Sequence, residues 1–197
     1  MQVKDRMTKN PISVSSLVSV DQALGIMRKN VIRHLPVLEE GELKGMVTDV
    51  QLSTAWFPSL LDDLVVADVM TANPLVIDAE DSVYEAARLL YHHKMTGLLV
   101  TQGNRLVGIL TLADILQLFV DLLGLFEDSV RLDLSFDPQN VSWEDVHHLL
   151  VEVGVEVISV ALVSSEQGKR VYSVRLPDTD LQPVKQALRR IGISILK

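Results

Sequence analysis

Shifted against itself by 63 residues, the chain matches without a gap over its first two thirds. Val3, Asp5, Met7, Thr8, Asn10, Pro11, Ser19, Val20, Ala23, Leu35, Val37, Leu43, Gly45 and Thr48 recur as Val66, Asp68, Met70, Thr71, Asn73, Pro74, Ser82, Val83, Ala86, Leu98, Val100, Leu106, Gly108 and Thr111. So many identities in one order and one spacing make the two segments copies of a single structural unit. A unit of about 60 residues has too little core to stand alone, so the copies are expected to pack against each other.

Each copy reads the same way. Asn10-Pro11 and Asn73-Pro74 are turn signals that lead into short apolar strands, Ile12 to Val14 and Leu75 to Ile77. Ser19 with Gln22, and Ser82 with Glu85, then have the spacing at which a cap and the residue three on satisfy each other's orphan donors. Val20, Ala23, Leu24 and Met27 follow at helical spacing, as do Val83, Ala86, Ala87 and Leu90, giving each helix one apolar stripe. Two strands follow each helix: 34–38 turns through Glu40-Gly41 into 43–47, and 98–101 turns through Gly103-Asn104 into 106–110. A second helix starts near Thr48 or Thr111, so each unit is β-α-β-β-α.

The residues resemble the cystathionine-β-synthase (CBS) domain pair. The carriers are Asp5-x-Met7-Thr8-x-x-Pro11 with Asp68-x-Met70-Thr71-x-x-Pro74, and Arg33-His34-Leu35-Pro36-Val37. Leu43-x-Gly45-x-Val47-Thr48 and Leu106-Val107-Gly108-Ile109-Leu110-Thr111-x-x-Asp114 complete the set. Together, in order and twice, they cover residues 1 to about 118.

Beyond Asp128 the pattern changes. Val130, Leu132, Leu134 and Phe136 alternate as a half-buried strand, and Asp137-Pro138-Gln139-Asn140 is a turn. Ser142-x-x-Asp145 opens a helix carrying Val146, Leu149, Leu150 and Val153, closed by Gly154. Strands at 155–163 and 170–176 flank a hairpin loop at 164–168; a last helix carries Val184, Ala187, Leu188 and Ile191, and 193–196 form a short final strand. The order β-α-β-β-α-β is the split βαβ, ferredoxin-like arrangement. It resembles an ACT domain, on element order more than on residues. The expected fold class is therefore α+β: residues 1–64 form a first CBS repeat with linker, 65–127 a second with an extended helix, and 128–197 an ACT-like domain. The combination resembles the acetoin-utilisation accessory proteins of bacteria.

Composition removes whole classes of function. Of 197 residues, 48% are hydrophobic and 22% charged, which is ordinary globular composition. The longest apolar stretch, Ile115 to Phe126, is broken by Gln117 and Asp121 and falls short of the roughly 18–20 residues of a membrane span. The opening Met1-Gln2-Val3-Lys4-Asp5-Arg6 lacks the apolar core of a secretory signal, so a cytoplasmic protein is expected. The absence of cysteine excludes disulfides, thiolate metal sites and cysteine nucleophiles. A net charge of −8 argues against nucleic acid but leaves a small anionic ligand open, since a few local donors suffice.

The resemblance implies that the cleft between the repeats binds an adenosyl compound: AMP, ADP, ATP or S-adenosylmethionine. It carries over to Thr111, Asp114, Met70, Thr71, Leu75, Gly97 and Leu98 in the second copy, and to His34, Leu35, Pro36 and Thr48 in the first. Thr111 and Asp114 stand at a helix start, where N–H groups and the dipole favour phosphate. A carboxylate there can also accept from both ribose hydroxyls. Helix capping explains the same Thr-x-x-Asp pair, and both readings stand at this level. The copies differ: the first has Gln51 where the second has Asp114, and the second has Leu99 where the first has Pro36. At most one competent site is expected, the one holding Asp114; in the first copy Arg33 and His34 are the candidate phosphate partners, with Thr48 as a hydroxyl donor, and surface solvation is the other reading of each.

No nucleophile–base pair, metal-ligand spacing or glycine-rich phosphate loop is present in the sequence, so the expectation is a non-catalytic regulator. His92-His93 and His147-His148 are adjacent pairs whose side chains diverge on a helix, which gives no two-ligand face. Asp62-Asp63 and the acidic run 78–81 read as loop solvation, and Trp56-Phe57-Pro58 as a plug under the linker or a partner contact. The helix after Thr111, apolar on two faces, serves as core or as the interface of a homodimer. A regulated protein partner, a scaffolding dimer with a degenerate site, and amino-acid sensing by the ACT-like domain are the remaining expectations. Against the last, the 137–141 turn lacks the glycine that amino-acid-binding ACT domains carry.

Overall fold

The structure is a computed structural model that describes residues 1–55, 64–166 and 168–196. Trp56-Phe57-Pro58 and Asp62-Asp63 lie outside the described residues. The chain forms two compact units, Met1–Leu116 and Gln117–Lys197.

In the first unit, repeat one opens with a single 3-10 turn (Val3–Asp5). It continues through β1 (Thr8–Lys9), α1 (Val20–Asn30), β2 (His34–Glu39), β3 (Glu42–Thr48) and α2 (Asp49–Ala55). Repeat two runs through α3 (Val66–Val69), β4 (Thr71–Ala72), β5 (Val76–Asp78), α4 (Val83–His93), β6 (Gly97–Gln102), β7 (Arg105–Thr111) and α5 (Leu112–Leu122). The serine caps are in place: Ser19 accepts from the Gln22 N–H and Ser82 from the Glu85 N–H. Val20, Ala23, Leu24 and Met27 are buried, as are Val83, Ala86 and Leu90. Both helices end on a left-handed residue, Val31 (φ 54°) and Lys94 (φ 53°), again 63 positions apart.

The leading strand of each repeat does not join its own sheet. β1 pairs antiparallel with β7, Thr8 opposite Ile109 and Lys9 opposite Gly108; β4 pairs with β3, Thr71 opposite Met46 and Ala72 opposite Gly45. The sheets are thus β2-β3-β4 and β1-β7-β6-β5. Glycine is needed at both crossings. A Cβ on Gly45 would lie 2.6 Å from the Met70 sulfur and 3.0 Å from the Thr71 carbonyl oxygen; one on Gly108 would collide with the Met7 sulfur and sit 3.1 Å from the Thr8 carbonyl. Across the seam, Met46 of repeat one packs in one apolar cluster with Leu99 and Ile109 of repeat two.

The strand expected at Ile12 to Val14 is corrected to a single bridge. Val14 pairs with Val37 and bonds to Pro36 and Leu38, while Ile12 and Ser13 are exposed and have no strand beside them. Its counterpart forms one residue later than expected, as β5, parallel to β6.

The second unit holds β8 (Ser129–Phe136), α6 (Trp143–Glu152), β9 (Ser159–Glu166), β10 (Lys169–Pro177), α7 (Leu181–Arg190) and β11 (Ser194–Ile195). Its sheet has the order β11-β8-β10-β9 with all neighbours antiparallel. Leu132, Leu134 and Phe136 from β8, Val146 and Leu150 from α6, Val174 and Leu176 from β10, and Val184 and Leu188 from α7 build its core. Ser142 and Asp145 form both legs of a capping box, and Gly154 (φ 77°) follows α6 in the left-handed conformation. β9 begins at Ser159, four residues later than expected, because Val155 is drawn into the core from the connecting segment.

The glycine crossings make a direct prediction. Gly108→Ala is expected to cost about 1–3 kcal/mol by overpacking against Met7 and β1. Adding Met7→Ala should recover part of that loss, giving a non-additive double-mutant cycle in urea denaturation. Strict additivity would show that the crossing is not tight.

Candidate functional site

The crossed strands enclose a cavity of about 660 Å³ within the first unit. Thr8, Asn10, Pro11 and Ile12 line one side; Val31 to His34 a second; and Thr96, Ile109 and Thr111 to Asp114 the third. Repeat one thus supplies its leading segment and the α1–β2 turn, and repeat two the end of β7 with the start of α5.

The start of α5 is held by a reciprocal set of bonds. The Thr111 N–H and hydroxyl both donate to Asp114 Oδ2, at 2.7 Å each, and the Asp114 N–H donates back to Thr111 Oγ1 at 3.4 Å. Capping therefore occupies one carboxylate oxygen. Asp114 Oδ1 has no partner among the described residues, and neither does the Thr8 hydroxyl. The carboxylate is fixed in orientation and keeps an acceptor to spare.

Arg33 is exposed and is the one permanent cation among the described lining residues. His34 is half-buried; its Nε2 lies 2.9 Å from Thr96 Oγ1, and its ring passes over Gly97, where a Cβ would come within 2.8 Å of that nitrogen. Burial holds the His34 pKa below its ordinary value of 6.5, with Arg33 adding to the effect and the Asp49 carboxylate opposing it. Val31 is 91% exposed at the cavity wall, and its left-handed backbone is strained for a β-branched residue. With Ile12, Ile32 and Ile109 it gives the cavity an apolar side opposite its polar groups.

Of the residues singled out from sequence, Thr111, Asp114 and His34 line this cavity. Met70, Thr71 and Thr48 lie at the repeat-related position: Met70 covers Gly45, and Thr71 joins Thr48 through Gln51. Leu35 and Leu98 are fully buried, and Pro36 is buried in β2 opposite Met46. Gly97 backs the His34 ring, and Leu75, half-buried, does not line the cavity. Thr8, Asn10, Pro11 and Ile12 stand where sequence reading had Met70, Thr71 and Leu75, because the leading strands are exchanged; Thr96, just before β6, is a further lining residue that sequence reading did not name. A second hollow of about 420 Å³, lined by Glu42, Leu43, Asn73, Pro74, Val76, Thr101, Gly103 and Asn104, contains none of the expected residues.

A family model for the CBS domain matches residues 3–56 and 66–121, more than half of the chain. The chain belongs to the CBS-domain family. Three solved structures show the likeness. The CBS domain pair of protein MJ0100 in complex with 5′-methylthioadenosine and S-adenosyl-L-methionine is 30% identical, with a TM-score of 0.56 over 60% of this chain and 95% of that one. CBSX2 from Arabidopsis thaliana, in complex with AMP, is 32% identical, with a TM-score of 0.55 over 60% of this chain and 96% of that one. A putative acetoin utilization protein (AcuB) from Vibrio cholerae is 28% identical, with a TM-score of 0.59 over 64% and 97% of the two chains. Enzymes also match, homoserine O-acetyltransferases among them, but the chain spans only 22% to 24% of their length. Among the described residues no helix is long and apolar enough to cross a membrane, and no cluster of three His, Asp or Glu is placed to hold a metal.

The CBS pair should register pH through His34. Its folded pKa lies below the unfolded one, so between the two values the unfolded chain binds more protons. Stability then rises as pH climbs through that window and levels off above about 6.5, where both states are neutral. Melting temperatures from about pH 5 to 7.5 should climb more steeply for the wild type than for His34→Gln. Equal slopes would mean that the ring is not held neutral by burial.

Proposed function

We propose that this chain is a non-catalytic regulator whose Asp114 cleft binds an adenosine-containing ligand, AMP, ADP, ATP or S-adenosylmethionine. The observation that carries the reading is the half-used carboxylate of Asp114. Oδ2 is locked by Thr111, which aims Oδ1 as an acceptor for the two hydroxyls of a ribose. The apolar side formed by Ile12, Val31, Ile32 and Ile109 suits a purine face, and Arg33 with the N–H groups at the start of α5 suits a phosphate or a carboxylate. The adenosyl compounds in complex with MJ0100 and CBSX2 support the same ligand class.

Regulation requires the ligand to bind one arrangement of the protein more tightly than another. In this reading residues 1–64 and 65–127 are the paired CBS repeats, and 128–197 is an ACT-like module that carries the response to a protein partner. The β11-β8-β10-β9 order of its sheet supports the ACT-like assignment. In the 137–141 turn, the Gln139 N–H and the Asn140 amide both donate to Asp137, so no amino-acid ligand is assigned there. Leu116, Phe119 and Leu122 form an exposed apolar stripe on α5, which supports a homodimer. The likeness to AcuB supports a place in acetoin utilisation.

Asp114→Ala tests the reading. AMP affinity, measured by calorimetry, should fall at least about tenfold through loss of hydrogen bonds to a charged acceptor. The fold should persist, with a capping loss of about 1 kcal/mol. A mutant that loses stability but keeps its affinity would assign Asp114 to capping alone.

A further inference from the structure

We propose that Gln51 confines ligand binding to one of the two repeat-related clefts by latching the other shut. The inference rests on the adenosyl reading of the Asp114 cleft. The starts of α2 and α5 match bond for bond. Thr48 donates to Gln51 Oε1 through its N–H (2.9 Å) and its hydroxyl (3.0 Å), and the Gln51 N–H donates back to Thr48 Oγ1 (3.2 Å), as Thr111 and Asp114 do. Asp49, the carboxylate nearest Gln51 in the chain, opens α2, and its Oδ1 accepts from the Val50 N–H.

The sites diverge at the remaining side-chain atom. On Asp114 that atom is Oδ1, an acceptor without a partner among the described residues. On Gln51 it is Nε2, a donor, and it reaches Thr71 Oγ1 at 3.0 Å. Thr71 is the repeat counterpart of Thr8, a lining residue of the open cavity whose hydroxyl has no partner among the described residues. The extra methylene of glutamine over aspartate lets one side chain span from Thr48 to Thr71. It ties the start of α2 to β4 across the position that stays open in the other cleft.

Two consequences follow for a ribose. Its hydroxyls must break the Gln51–Thr71 bond to enter, and they then meet a donor where the Asp114 site offers an acceptor. An amide nitrogen cannot take the pair of hydroxyl protons that a carboxylate oxygen accepts. The cleft is therefore shut against diol-bearing ligands by one residue, although the backbone that frames it is duplicated.

The test is the stoichiometry of AMP, and separately of S-adenosylmethionine, by titration calorimetry on the full chain. Wild type should bind one ligand per chain, Gln51→Asp two, and Gln51→Asp with Asp114→Asn one. Gln51→Glu guards against a folding failure: it keeps the length and the Thr48 bonds and, although the Thr71 hydroxyl can still donate to it, it offers a ribose an acceptor in place of the amide donor. Two sites in either folded variant support the latch. Two sites in the wild type, or one site in both folded variants, overturn it and leave the Asp114 reading standing. No binding by the wild type or either variant overturns that reading and the latch together.

Discussion

The exchange of leading strands between the repeats is the constraint on which the rest of the first unit depends. Because β1 lies on β7 and β4 on β3, neither repeat completes its sheet without the other. Gly45 and Gly108 permit the two crossings, and Met70 and Met7 seal them from outside. The same exchange carries Thr8 to Ile12 to the start of α5. The cavity is a product of the duplication: two of its walls belong to repeat one and the third to repeat two, and neither copy alone would enclose it.

Duplication sets the frame and divergence sets the chemistry. The left-handed residues at 31 and 94, the serine caps at 19 and 82 and the bonding at Thr48 and Thr111 are equivalent in the two copies. Most other side chains differ between the copies, and a few of those differences set the chemistry of the cleft. Arg33 and His34 stand opposite their own counterparts, Thr96 and Gly97, and the His34 ring occupies the space that Gly97 leaves free. Two adjacent positions thus bring a cation and a ring with a depressed pKa to the Asp114 cleft, while their twins contribute the hydroxyl and the gap that receive the ring.

Much of this was legible in the sequence, for reasons of scale. The repeat and the amphipathic stripes are patterns of ten residues or more and appear in the structure close to where the spacing puts them, whereas the Ser19–Gln22 and Ser82–Glu85 pairs span four residues and show only the leg in which the serine accepts from the backbone N–H three on. The second unit's element order was readable from strand alternation at 130–136 and helical spacing at 146–153. The partners of β1 and β4 were not readable: a two-residue strand carries no periodicity, and its partner lies about 100 residues away for β1. That omission displaced half of the site. Met70, Thr71 and Leu75 were grouped with Asp114 because they share its repeat, whereas the structure puts their counterparts Thr8, Asn10 and Ile12 there. The role of Gln51 was equally hidden, since the sequence marks it as a substitution and only the bond to Thr71 shows what it does.

Amide hydrogen exchange with and without saturating AMP tests the central claim most directly, because it reports where the ligand sits and not only whether it binds. The account predicts protection in the segments around 8–12, 31–34 and 111–114, with 48–51 and 71–75 unchanged. Protection centred on 48–51 and 71–75, or on the 137–143 turn, would contradict it.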